Sequence, residues 1–256
     1  MYKALVTGAS QGIGAAIARQ LATRGSSLLL VARTQNKLET VAEECRKLGA
    51  QDVKILALDL SHAENWTQII QTASHMQIDV LVNNAGYGLW GNFSDSDLGE
   101  LQKNMRLNMD SLVMLTHKLL PVLKKHSRSY ILNVSSTTAY QAIPTFAVYA
   151  ATKSFVLMWS RAIHHELKRS GVIVSALVPG TTDTGFINRA GLQHMTEAAK
   201  KVSMTADEVA KIGLDGLFKG KIEVIPGFLN KISAQAVNFI PKKWVEKTAA
   251  SIYLKK

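Results

Sequence analysis

One cysteine, Cys45, stands among 256 residues. Intrachain disulfides and cysteine-built zinc sites are therefore excluded, and Cys45 is expected to be a bystander on a helix in a protein suited to a reducing compartment. Long apolar runs are missing too: although 47% of the residues are hydrophobic, none forms the stretch of about 18 needed to span a bilayer. The start, Met1-Tyr2-Lys3-Ala4-Leu5-Val6-Thr7-Gly8, lacks the basic, apolar and small-residue segments of a secretory leader and resembles a strand that begins at once. A cytoplasmic protein is expected. The seven histidines have no metal-ligand spacing, so no metal site is expected, and His164 and His165 read as surface residues of a helix. No phosphate-binding loop ending in Gly-Lys-Ser/Thr is present, which argues against ATP chemistry. Acidic residues are scarce, 19 against 30 basic ones, for a net charge of +11. From Lys219 to Lys256 eight lysines meet two glutamates, so +6 of that charge sits in the tail. With no zinc-finger, basic-zipper or glycine-aromatic RNA-binding pattern, nucleic acid is not an expected partner.

What is present is a regular alternation. Apolar, β-rich runs cover Tyr2 to Thr7, Ser27 to Ala32, Val53 to Leu58, Asp79 to Val82, Tyr130 to Ser135, Val172 to Val178 and Lys221 to Ile225. Helix-length segments lie between them, at Ile13 to Arg24, Gln35 to Leu48, Ala63 to Met76, Asp97 to Lys125 and Val148 to Ser170. Near-continuous apolar strands separated by helices predict βαβ units: a doubly wound α/β fold with a parallel seven-stranded sheet and helices on both faces. The length suits one domain, residues 1 to 256. Thr181 to Met204 follows the sixth strand as an irregular insertion and is a candidate lid, and a helical extension is expected over 228 to 254. In such sheets ligands bind at the carboxyl ends of the strands, where the strand order reverses.

Chemistry-bearing residues fall at those ends. After the first strand comes Thr7-Gly8-Ala9-Ser10-Gln11-Gly12-Ile13-Gly14, then a helix. Gly8 suits a tight turn, Gly12 a close approach of backbone to pyrophosphate and Gly14 close helix-to-strand packing, while the helix N-terminus offers free N–H groups. The second strand ends in Ala32-Arg33, where an NAD-preferring fold carries an acidic residue. Arg33 can fork onto a 2′-phosphate, which favours NADP(H), or it can simply cap a surface loop. Asp59-Leu60 follows the third strand, and Asn83-Asn84-Ala85-Gly86 the fourth, where asparagines can tie neighbouring strands together. Tyr149 and Lys153 are four apart on a helix, hence on one face. Taken alone that pair is weak, since with six tyrosines about 0.4 such matches arise by chance. Ser136, at the end of the fifth strand, supplies the third polar group.

Together with Pro179-Gly180-Thr181-Thr182-Asp183-Thr184, these motifs resemble the short-chain dehydrogenase/reductase family, in its order and spacing, from the first strand to beyond the sixth. The resemblance implies a Rossmann-type fold and an oxidoreductase that moves a hydride between nicotinamide and a carbonyl or secondary alcohol. Tyr149 becomes the general acid or base, Ser136 the group that holds the substrate oxygen, Lys153 the partner of Tyr149 and of the nicotinamide ribose, and Asn108 the fourth catalytic residue, holding a water. Ser135 is expected to be structural. Cofactor contacts are expected at Gly8, Ser10, Gln11, Gly12, Ile13, Gly14, Arg33, Asp59, Leu60, Asn84, Ala85, Gly86, Tyr149, Lys153, Pro179, Gly180, Thr182 and Thr184. Gln11 departs from the pattern, since many NADP(H)-preferring relatives have a basic residue there, so the phosphate preference rests on Arg33. Lowering a tyrosine pKa from about 10 to near 7 takes roughly 4 kcal/mol. An ammonium about 4 Å away supplies that much only at an effective dielectric near 20, so water must be excluded.

Leu89, Trp90, Phe93, Ile143, Phe146, Phe186 and Ile187 are expected to face a hydrophobic carbonyl or alcohol. Apolar residues between Phe228 and Leu254, interleaved with lysines, fit either a basic amphipathic element on an anionic membrane or helices that close the pocket. The helix at Val148, apolar nearly all round through Phe155, Val156, Leu157, Met158 and Trp159, predicts a homodimer or homotetramer. From a different class, a non-catalytic NADP(H)-binding sensor or scaffold would keep the fold without turnover; an intact Ser136, Tyr149 and Lys153 argues against it.

Overall fold

The computed structural model describes residues 1–183, 203–237 and 239–254. Six main strands arrive in order: β1 (Lys3–Thr7), β2 (Ser27–Ala32), β3 (Asp52–Ala57), β4 (Val80–Asn83), β5 (Ser129–Val134) and β6 (Val172–Leu177). Between them run α1 (Gly12–Ala22), α2 (Gln35–Lys47), α3 (Trp66–Met76), α4 (Leu98–Met105), α5 (Ser111–Leu123) and α6 (Ala147–Leu167). Two short strands, β7 (Thr182–Asp183) and β8 (Met204–Thr205), precede α7 (Ala206–Phe218), the edge strand β9 (Glu223–Val224), α8 (Phe228–Ala236) and α9 (Lys242–Tyr253). The main sheet has seven strands in the order β3-β2-β1-β4-β5-β6-β9, every pair parallel. The expected doubly wound sheet is therefore present, with the order reversing between β1 and β4.

The side chains of its central strands alternate between two buried faces. Ala4, Val6, Leu28, Leu30, Val80, Val82 and Leu132 point to one face and pack on α1, α2 and α7. Leu5, Leu29, Val31, Leu81 and Ile131 point to the other and pack on α3, α5 and the end of α6. With both faces covered, both sets of side chains must be apolar, which is why the strands read as continuous hydrophobic runs. At the carboxyl ends of β4 and β5 the polar residues are linked: Asn83 Nδ2 donates to Asn133 Oδ1 at 2.8 Å and to Thr116 Oγ1 at 3.0 Å, and Asn133 Nδ2 donates to Ser160 Oγ at 2.9 Å. This chain of bonds ties β4 and β5 to α5 and α6 immediately below the sheet edge that carries the site.

Several elements differ from expectation. The single long helix over 97 to 125 is α4 and α5 joined by a π turn at Arg106–Asp110, with Asn108 at its centre. The insertion after β6 is closed at its base by the parallel pairing of β7 with β8, a contact too short to leave a pattern in the sequence. Residues 184–202, and with them Thr184, Phe186 and Ile187 and most of the candidate lid, lie outside the described residues. His164 is not a free surface residue, because its Nδ1 lies 2.7 Å from the Val174 carbonyl of β6. Cys45 is buried on α2. Among the described residues no helix is long and apolar enough to cross a membrane, and no cluster of side chains could hold a metal.

Candidate active site

A cavity of about 500 Å³ opens at the carboxyl ends of β1 and β4. Its floor is the glycine loop. Gly8 and Gly12 both have positive φ, +65° and +57°, which a side chain would strain. Gly14 does not line the cavity; it lies beneath, where a Cβ would collide with the Gly8 carbonyl oxygen and the Asn84 amide. The first turn of α1 carries neither a side-chain cap nor an acidic residue, so its N–H groups stay open beside Ser10, Gln11 and Ile13 in the cavity wall. A phosphate fits that cradle on charge and on space. Asn84 shapes it from the side, its Nδ2 donating to the carbonyls of Thr7 at 2.9 Å and Gly8 at 3.2 Å.

The far wall at this end is polar. Arg33 meets Asp59 at 3.6 Å, and Asp59 also accepts from the Ser61 amide and hydroxyl at 2.9 and 2.8 Å. Burial pushes the Asp59 carboxyl up, but the Ser61 bonds and the Arg33 guanidinium outweigh it and hold the pKa low. Lys37 also lines this end, its Nζ donating to Gln11 Oε1 at 3.2 Å. Sequence reasoning missed Lys37, which is delivered from the first turn of α2 and belongs to no motif. Lys37 thus places a basic group beside Gln11 from the neighbouring helix.

At the opposite end Ser136, Tyr149 and Lys153 come together. Ser136 leaves β5 in extended conformation and caps a short helical turn, its Oγ accepting from the Thr138 amide at 3.2 Å. The Ser136 hydroxyl acts on the Tyr149 phenol in the sense that favours its ionised form. Lys153 is buried one turn along α6, its Nζ 5.7 Å from the Tyr149 ring centroid and donating to the Val134 carbonyl at 2.9 Å. Ser135 also borders the cavity, and its hydroxyl donates to the Lys153 backbone carbonyl at 2.7 Å, tying the end of β5 to α6. Burial dominates both ionisable groups. It pushes the Tyr149 phenol well above its ordinary value, against the pull of Ser136, and draws Lys153 down to about 8. Burial is the largest cause for both groups and moves each toward its uncharged form.

Asn108 lies behind this group. Its amide donates to the carbonyl of Tyr87 at 3.1 Å and to Thr152 Oγ1 at 3.1 Å, and its Oδ1 accepts from the Tyr87 amide at 3.2 Å. A Cβ on Gly86 would sit 2.9 Å from Asn108 Oδ1 and 3.4 Å from Lys153 Nζ, so this glycine lets all three elements close together. The π turn inserts an extra residue at Asn108, a distortion common at functional sites. Of the remaining cofactor candidates, Leu60, Ala85, Pro179, Gly180 and Thr182 line the cavity.

The apolar candidates divide. Phe146 lines the cavity with its ring 4.6 Å from that of Tyr149, and Ile143 packs just behind both. Leu89 instead borders a neighbouring hollow beside Tyr87 and Arg33, Trp90 is about two-thirds covered, at 38% exposure, and Phe93 stands largely in solvent at 69%. Tyr253, at the end of α9, was not anticipated and lines the cavity next to Phe146 and Tyr149. No local signal marks it, because it approaches from more than a hundred residues away. The backbone of Thr145 has φ +64°, rare for a β-branched residue, and its Oγ1 lies 3.4 Å from the Tyr253 carbonyl, so the loop before α6 is held against the C-terminal helix.

The family model for short chain dehydrogenase matches residues 2–187. The 17-beta-hydroxysteroid dehydrogenase type 3 of Mus musculus is 30% identical over 256 residues, covering 98% of this chain and 80% of its own. The very-long-chain 3-oxoacyl-CoA reductase of Rattus norvegicus is 29% identical over 260 residues, covering 99% and 82%. Among solved structures, a short-chain dehydrogenase from Sphingobium yanoikuyae in complex with NADPH superposes with a TM-score of 0.83 at 28% identity, covering 94% of this chain and 97% of that one. A family match over most of the chain, joined to a seven-stranded parallel sheet of the same architecture, leads to one conclusion: the chain belongs to the short-chain dehydrogenase family, oxidoreductases of alcohol and carbonyl groups that use a nicotinamide cofactor.

Proposed function

We propose that this protein is an NADP(H)-dependent reductase or dehydrogenase of a hydrophobic carbonyl or secondary alcohol. The observation that carries this is the convergence of Ser136, Tyr149 and the buried Lys153 at one end of a cavity whose other end is a glycine loop flanked by Arg33 and Lys37. The bound cofactor supplies or accepts the hydride and carries a positive ring charge when oxidised. Ser136 donates to the substrate oxygen and steadies the charge that develops there. Tyr149 transfers the proton, to the oxygen in reduction and from it in oxidation. Its raised pKa keeps the phenol protonated at neutral pH, the form needed to act as an acid. Lys153 favours the phenolate left behind and, by the family resemblance, bonds the nicotinamide ribose. Asn108 is a positioning residue, clamping Tyr87 to Thr152 on the helix of Tyr149.

Arg33 and Lys37, with the Sphingobium protein's NADPH as precedent, support NADP(H) over NAD(H). Phe146, Ile143 and Tyr253 support an apolar substrate, and the named relatives act on steroid and acyl substrates. Phe155 and Met158 face outward on α6 and support assembly through that helix into a homodimer or homotetramer, which sedimentation measures. The buried, unpaired Cys45 is compatible with a cytoplasmic location.

The direct test is cofactor titration followed by a carbonyl screen read by NADPH consumption. Bulky apolar ketones should be consumed and small charged keto acids should not; the reverse preference overturns the substrate class. The pH profile adds a second check. Lys153 is depressed from 10.5 to about 8, so its ammonium is present below that pH and lost above it. Reductive turnover at saturating cofactor should therefore fall as pH rises through about 8. Unfolding would not mimic this, because an unfolded lysine holds its proton up to 10.5, and the same shift makes the folded state gain stability between those pH values. A flat profile to pH 10 would remove Lys153 from the mechanism.

A further inference from the structure

The two C-terminal helices have opposite characters on their two sides. Inward, they form part of the cavity wall. Asn230 of α8 packs so closely on Gly180 that a Cβ there would meet its side chain at 2.5 Å, and Tyr253 of α9 lines the cavity beside Phe146. Outward, they place large apolar side chains in water. On α8, Phe228, Leu229 and Ile232 lie on the side opposite Ala234, the only buried residue of that helix, and Phe228 is 77% exposed. Phe239, after α8, is 88% exposed and Trp244 on α9 is 69% exposed. Of sixteen large apolar side chains exposed among the described residues, eight fall between Phe228 and Leu254, so their concentration in this one segment is not scattered surface apolarity.

Charge identifies the occupant. Among the described residues of this segment Lys231, Lys242, Lys243 and Lys247 face a single acidic residue, Glu246, and none of these lysines makes an ion pair with a described residue. A second copy laid on this face would set lysine against lysine. An anionic lipid surface would accept both parts, with the aromatic and aliphatic side chains in the acyl boundary and the lysines at the headgroups. We propose that α8 and α9 form a docking platform that seats the cavity on an anionic bilayer, so that an apolar substrate enters from the lipid past Tyr253. Docking stands on the surface alone; the delivery of substrate rests on the function proposed above.

The experiment is co-sedimentation of the full chain with vesicles of phosphatidylcholine alone and of phosphatidylcholine with phosphatidylglycerol. Low-salt binding to the anionic vesicles should far exceed binding to the neutral ones and should be lost in high salt. Reversing two lysines, in Lys242→Glu with Lys243→Glu, should lower partitioning by at least roughly tenfold. Phe228→Ser with Phe239→Ser should reduce it comparably, and both variants should keep the wild-type melting temperature and turnover of a water-soluble ketone. The KM for a bilayer-dissolved ketone should rise in both, with kcat unchanged. Docking is overturned by absence of pelleting with anionic vesicles at low salt, or by pelleting undiminished in both variants. It is also overturned if the Phe variants dissociate a larger assembly, which would identify a second copy as the occupant. An unchanged KM in variants that no longer bind would overturn the delivery route alone. Vesicle binding without NADPH consumption by any ketone would sink the proposed reaction and leave the docking intact.

Discussion

Tyr149→Phe should lower kcat by roughly 10² to 10⁴-fold, the usual contribution of a positioned proton donor, while leaving cofactor binding intact. The expectation follows from where the phenol sits. Tyr149 is buried, its ring packs on Phe146, and it shares the cavity end with Ser136. Phenylalanine preserves the packing and removes only the exchangeable proton, so fold and cofactor cradle stay as they are. The check is kcat on a confirmed ketone together with fluorescence titration of NADPH. Turnover near wild type would remove Tyr149 from the proton-transfer role. Loss of cofactor binding along with turnover would assign it a structural part instead.

Removing the charge at the other end should act on the cofactor and spare the chemistry. In Arg33→Ala with Lys37→Ala, NADPH affinity should fall by roughly 10 to 10³-fold, from about 1.5–3 kcal/mol for each hydrogen bond to a charged group, discounted because both side chains are solvent-accessible. NADH affinity should change little, and kcat at saturation should hold. Arg33 alone should account for less than the pair, because Lys37 lies at the same end and is already engaged with Gln11. The Asp59 carboxylate supplies a further reading: freed of Arg33, it should rise toward the usual carboxylate range, and a repulsive group would remain near the vacated phosphate position. Equal losses for NADPH and NADH would mean that these cations support the loop and do not read the phosphate.

The catalytic group illustrates how two effects compete. Excluding water was required for Lys153 to act on Tyr149 at useful strength. The exclusion is severe enough that burial raises the phenol and lowers the ammonium, shifting both toward their uncharged forms while leaving Lys153 an ammonium below pH about 8. In the direction of reduction that is an advantage, since a protonated phenol is the reactive species. In the direction of oxidation the phenolate needs further positive charge, which the oxidised cofactor ring would provide.

Sequence periodicity by itself determined the sheet. A strand covered on both faces has no polar side to alternate with, so Ser27–Ala32 is a continuous apolar run, and its bounds in the structure are those read from the residues. Local motifs likewise determined the glycine loop and the triad of Ser136, Tyr149 and Lys153, because a tight turn and a four-residue helical spacing are short-range geometry. The asparagines after β4 also do as expected, bonding across to Thr7, Gly8 and Asn133. Other features depend on contacts between distant segments. Lys37 reaches Gln11 only because α2 returns beside the loop, Tyr253 enters the cavity only because α9 folds back over α6, and Phe93 stays in solvent although it lies in the segment that follows β4. The π turn at Asn108 belongs with these, since its polar partners come from the Tyr87 loop and from α6. Periodicity reports which side of an element is buried, and motifs report local backbone geometry; which distant side chain fills the remaining wall of a cavity is set by packing between elements, which neither encodes.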